Sequence, residues 1–137
     1  MNWAIQTLNG ISMGALLFLL SSGFTLTFGL ARVVNMAHGA LYLLGGYLGL
    51  SMVLATKNFW LALPAGGLGI AILYYFLDRF LIRRTGENHL AQVLLTVGIA
   101  FVIADIALLI WGGDARRLPA PAFTQGPIQL AAGLYYP

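Results

Sequence analysis

Few residues in this chain can do chemistry, and three of them stand at informative places: Asn35, His38 and Asp105. Asn35 and His38 are three apart in "ARVVNMAHGA", so on a helix they share one face, with Arg32 just before them. An amide and an imidazole side by side offer hydrogen bonding and proton exchange. They do not make a metal site: the chain has no cysteine, and its only other histidine, His89, lies in a separate loop. Asp105 is the single acid within the long apolar run 88–111, and no second acid accompanies it to relay a proton. The chain shows no G-x-S-x-G, no H-E-x-x-H, no P-loop and no paired acids. "AGGLGI" has the glycines of a phosphate loop but not its Lys-Ser/Thr. No catalytic residue, cofactor or metal is expected. Any ATP drive would have to come from a partner.

The elements that position these residues follow from composition. Of 137 residues, 60% are hydrophobic and 8% charged. Soluble domains carry about 25% charged residues, so most of this surface must face lipid or other protein. The net charge of +3 is scattered and forms no basic run, so nucleic acid is not an expected partner. A membrane-spanning helix needs about 20 mostly apolar residues. The uncharged runs predict four, at about 8–30, 38–56, 59–80 and 90–111. The fold class is therefore all-α, a polytopic membrane helix bundle, followed by a proline-rich extracytoplasmic tail at 112–137. "MNWAIQTLNGISMG" lacks the basic leader of a signal peptide, and "AGLYYP" reads like an approach to a further span. The cluster "DRFLIRRTGE" favours a cytoplasmic side for Arg32, Arg79, Arg83 and Arg84.

Small residues recur four apart at Gly10 and Gly14, Gly45 and Gly49, and Ala65 and Gly69, a spacing that lets helices pack closely in lipid. The turn at 32–38 has two readings. In one, Asn35 caps the helix that starts at Met36, Arg32 anchors the topology and His38 is a polar residue of the first turn. In the other, Asn35 and His38 form a patch that meets a partner or lines a path. Asp105 likewise reads either as a helix–helix contact or as part of a substrate path or coupling device. On both readings an acid at mid-span should face the bundle interior.

A resemblance attaches to these residues. "GFTLTFGLARVVNMAHGALYLLGGYLG" resembles the N-terminal part of the permeases of branched-chain amino acid ABC importers. The matching residues are Gly23, Thr25, Leu26, Gly29, Asn35, Ala37, His38 and Gly39. "LLTVGIAFVIADIALLIWGGDARRLP" is similar to a second segment of that family, through Thr96, Gly98, Trp111, Gly112, Arg117 and Pro119. The two matches are in order and span about residues 9 to 119. Family members are longer, so the resemblance covers only their N-terminal half. It departs at Asp105, where the family often has an amide.

The resemblance implies one N-terminal part of a permease domain over 1–137. It implies a bacterial inner-membrane location and ATP-driven import of branched-chain amino acids or similar small polar solutes. The partners it implies are a second permease subunit, cytoplasmic ABC ATPase subunits, an extracytoplasmic solute-binding protein and membrane lipid. The alternative is a small four-helix accessory or channel-like protein that works without ATP.

Overall fold

The computed structural model describes residues 3–114, 119, 128–131 and 134–136. Four helices dominate: α1 Trp3–Ala31, α2 His38–Thr56, α3 Ala62–Phe80 and α4 His89–Trp111. Single 3-10 turns at Phe59–Leu61 and Ile82–Thr85 lead into α3 and out of it. All four spans are long and apolar enough to cross a membrane. In lipid a backbone must satisfy its own polar groups, which is why uncharged runs of this length become helices. The sequence places α2 correctly at both ends and α4 within a residue; α1 starts five residues earlier than expected.

Short polar residues start and stop the elements. Asn58 Oδ1 accepts from Trp60 N at 3.0 Å, and Asn88 Oδ1 accepts from Ala91 N at 3.1 Å, each holding a first-turn amide. At the end of α2, Lys57 adopts φ +58° and its amide donates to Val53 O at 2.8 Å, a left-handed cap on a non-glycine residue.

Helices α2 and α3 pack most closely. A Cβ on Gly66 would lie 2.7 Å from Gly45 O, and one on Gly49 would lie 3.3 Å from Ala62 O. The Gly45–Gly49 pair is thus a contact surface, as its spacing implies. On α3 the backbone contact falls at Gly66 rather than at Ala65. Gly69 meets Leu48 instead, where an added Cβ would lie 2.8 Å from Cδ1. By contrast, nothing lies within 4 Å of the Cβ positions of Gly10 and Gly14, so that pair packs nothing in this chain.

Helix α4 lies on α2 through one stripe, Gln92, Thr96, Ile103 and Ala107, at intervals that keep one helix face. Ile103 meets Ala37 and Leu41, with Leu44, Leu73 and Ile99 around them. At the far end, Trp111 Nε1 donates to Ser51 Oγ at 2.8 Å, and the indole stacks on Tyr47 with centroids 5.0 Å apart. Helix α1 stands largely apart; its most apolar window has no buried residue.

The expectation of a loop throughout 112–137 needs one correction. A short antiparallel ribbon pairs β1, Ile128–Ala131, with β2, Leu134–Tyr136. Pairing satisfies backbone groups that an irregular loop would leave to water. The proline-rich stretch before it, with Arg116 and Arg117, lies outside the described residues.

Candidate functional site

The junction between α1 and α2 carries the site. Helix α1 ends at Ala31, and Arg32 after it turns left-handed at φ +52° while its amide donates to Phe28 O at 2.9 Å. Residues 32–37 then run without helical structure. Non-helical backbone inside a membrane bundle needs hydrogen-bond partners from elsewhere, because lipid supplies none. Here α4 supplies them. Val34 N donates to Gln92 Oε1 at 3.3 Å, and Met36 N donates to Thr96 Oγ1 at 3.0 Å. The Gln92 amide in turn donates to Gly86 O at 2.9 Å, and the Thr96 hydroxyl donates back to Gln92 O at 2.7 Å. Asn35, Gln92 and Thr96 are 2%, 4% and 0% exposed. Among the described residues, no buried side-chain polar atom lacks a partner.

Asn35 is placed close to its expected role but not in it. The N-cap of α2 is Ala37, which makes no side-chain cap bond. Asn35 Oδ1 instead accepts from Ala37 N at 2.9 Å, so the amide closes a tight turn one step before the helix. Capping from this earlier position lets the segment dip into the bundle before α2 begins. Asn35 is also buried within this chain. Tyr74 of α3 lines the same cleft as Asn35.

His38 is the first residue of α2, and its ring leans on α1. A Cβ on Gly23 would lie 3.0 Å from His38 Nε2, and Phe24 meets the ring edge-on at 6.2 Å between centroids. Glycine at position 23 makes room for the imidazole. Asn35 and His38 together form the wall between two clefts. One, of about 370 Å³, opens toward α3 beside Thr27, Tyr42 and Tyr74. The other, of about 300 Å³, opens along α1 beside Ser21, Phe24 and Thr25. A larger polar cleft of about 860 Å³ lies just beyond, lined by Arg32, Asp78, Arg83, Glu87 and His89 among others. Within it Arg83 Nε pairs with Asp78 Oδ2 at 2.8 Å.

Asp105 does not join this site. It lies on the exposed face of α4, half a turn around from Thr96 and Ile103. Within this chain it is not turned inward: α4 spends the stripe facing α2 and the 32–37 turn on Gln92, Thr96, Ile103 and Ala107, and position 105 falls opposite. Sequence reasoning missed Gln92. Its signal was a polar residue four before Thr96 at the start of an otherwise apolar helix. The described residues hold no cluster of three or more His, Cys, Asp or Glu side chains. The arrangement fastens the 32–37 turn to α4 and sets His38 against α1.

Four apolar spans and a polar, hydrogen-bonded break between the first two define a multi-pass membrane protein whose polar groups fasten its helices. The profile of the family described as "Branched-chain amino acid transport system / permease component" matches residues 6–132, and the chain belongs to that family. Members are transporter components, not enzymes. The chain is 26% identical over 125 residues to the high-affinity branched-chain amino acid transport system permease protein LivH of Escherichia coli strain K12. It is 24% identical over the same length to LivH of Salmonella typhimurium strain LT2. Each match covers 84% of this chain and 41% of the relative. The corresponding permease protein BraD of Pseudomonas aeruginosa is 22% identical over 124 residues, 83% of this chain and 40% of BraD. The chain thus spans about two fifths of the length of these curated relatives. No solved structure matches it significantly.

Proposed function

We propose that the chain forms the N-terminal part of the permease domain of an ATP-driven importer of branched-chain amino acids or similar small polar solutes. Its place is the bacterial inner membrane, with the Arg79–Arg84 cluster on the cytoplasmic side. It works with a second permease subunit, cytoplasmic ABC ATPase subunits and an extracytoplasmic solute-binding protein. The names of the relatives support the substrate class. One observation carries the reading. The two segments that resemble this family meet at the hydrogen bond from Met36 N to Thr96 Oγ1, between residues 60 apart in sequence. The same side chains that mark the family hold the break between α1 and α2.

In this reading, Asn35 and His38 act at the break as path-lining or coupling residues. The turn they stabilise is fastened to α4 and leans on α1, so displacement of either helix moves the wall between the two clefts. Asp105, on the other face of α4, is a contact residue outside that path.

The test is uptake of labelled leucine, isoleucine and valine by cells carrying the complete operon, with and without this gene. Loss of uptake without the gene, restored by supplying it, is the expected result. Uptake that is unchanged without it contradicts the proposal.

A further inference from the structure

The cleft of about 370 Å³ beside His38 has walls from three helices: Thr27 on α1, His38 and Leu41 on α2, and a row on α3 that includes Gly67 and Tyr74. Small-molecule sites run from about 300 to 1,000 Å³ and are mostly apolar, with a few polar groups that fix orientation. This cleft has that composition, and its chemistry is graded along its length. Tyr74 packs by Ala37 and Leu41, so it and His38 bring polar groups to the end next to the 32–37 break. Gly67 comes two turns earlier on α3, about 10 Å away at the helical rise. Between these ends, Leu41, Ile70 and Ala71 present hydrocarbon.

Two details point to what the cleft holds. Among the described residues, neither ring nitrogen of His38 has a hydrogen-bond partner, although the ring is partly buried. A neutral imidazole carries one donor and one acceptor, and acyl chains satisfy neither. A zwitterion, with an ammonium and a carboxylate on one carbon, offers a partner to each. The second detail is Gly67. Its neighbour Gly66 is pressed against Gly45 O, but a Cβ on Gly67 would meet nothing within 4 Å. The close approach of α2 and α3 thus accounts for the first glycine and not for the second. Position 67 turns away from that contact and into the cleft.

We propose that this cleft seats the aliphatic amino acid during passage, and that Gly67 sets the size of side chain it admits. The charged end of the solute lies at His38, and its hydrocarbon lies along Leu41, Ile70 and Ala71 toward Gly67. The proposal rests on the import function proposed above and goes beyond it by naming the seat and the residue that measures the substrate. Lipid would leave the polar end unmet. A helix packed into the cleft would tolerate no added side chain at position 67.

The test uses the complete transporter in proteoliposomes, with labelled valine and leucine, which differ by one methylene. Gly67→Ala should assemble in normal amount. Gly67→Val should lower leucine uptake relative to valine uptake by about tenfold, the lower end of what one methylene is worth in a hydrophobic pocket. Gly46→Val, also at a position where an added Cβ meets nothing within 4 Å but outside the cleft, should leave the ratio unchanged. A second measurement needs no change of selectivity. The chain has no cysteine, so Gly67→Cys gives it one thiol. A charged, water-soluble methanethiosulfonate should modify that thiol, and leucine delivered by the binding protein should slow the modification several-fold. A leucine-to-valine ratio unchanged by Gly67→Val, failure of Gly67→Ala to assemble, or a thiol that is inert or unprotected by leucine would each overturn the proposal while import itself stands. A wild-type transporter that imports neither amino acid would overturn the import function, and this proposal with it.

Discussion

The hydroxyl of Thr96, in the second turn of α4, accepts a hydrogen bond from the amide of Met36 at 3.0 Å while donating to Gln92 O at 2.7 Å. One fully buried side chain therefore closes a helix bond and fastens a non-helical segment 60 residues away. Removing the hydroxyl while keeping the shape isolates that link. Thr96→Val should destabilise the protein by about 1 kcal/mol, because the partly buried Met36 N–H loses its acceptor. Thr96→Ser should lose much less. Thermal unfolding of the purified protein in detergent compares the two, and a larger loss from Thr96→Ser than from Thr96→Val would show that packing of the methyl group, not the hydroxyl, matters there.

The α2–α3 contact makes an equally specific claim. Gly66→Ala would set a Cβ 2.7 Å from Gly45 O, a clash with backbone that no side-chain rotation relieves. Overpacking of this kind costs about 1–3 kcal/mol. Gly67→Ala, at a neighbouring position where nothing lies within 4 Å, should be neutral or slightly stabilising. Folded yield in mild detergent reads both. Similar behaviour of the two variants would show that the helices do not approach at Gly66.

His38 and Gly23 should behave as a pair. His38→Ala removes the ring that leans on α1 and should impair uptake by the complete transporter more than it lowers expression. Gly23→Ala crowds the ring and obliges it to shift by a few tenths of an ångström, since Nε2 lies 3.0 Å from the new Cβ. It should therefore cause a similar defect, and it should add little to His38→Ala, where the obstruction is gone. Uptake left intact by His38→Ala would leave the residue a purely structural one.

Orientation has its own test. A reporter active only outside the cytoplasm should be silent when fused after Arg84, beside the Arg79, Arg83 and Arg84 cluster, and active when fused after Pro119. The reverse pattern would invert the bundle.

Much of this architecture was legible from the sequence because lipid imposes a simple rule: uncharged runs of sufficient length become helices. The limits of α2 could be read directly, since His38 and Lys57 bracket the run. Asn35 and Thr96 were legible as motif residues, but not the bond network between their segments. That network depends on Gln92 and Thr96 facing the 32–37 turn, which is a matter of how α4 is rotated. Rotation also decided Asp105. Helix α4 is apolar almost all round, so nothing in its pattern says which face turns inward. The Trp111–Ser51–Tyr47 contact was hidden for the same reason. It joins two helices whose relative depth is fixed only when they pack.

The central proposal is a division of labour in which this chain helps shape the path and separate subunits supply the energy. The most direct measurement is uptake of labelled branched-chain amino acids into proteoliposomes holding the full-length permease pair, the ATPase subunits and the binding protein. Transport should stop when ATP is omitted, persist in the presence of a protonophore, and be nearly unaffected by Asp105→Asn. Uptake that continues without ATP but collapses with the protonophore or with Asp105→Asn would contradict the account and indicate an ion-coupled carrier.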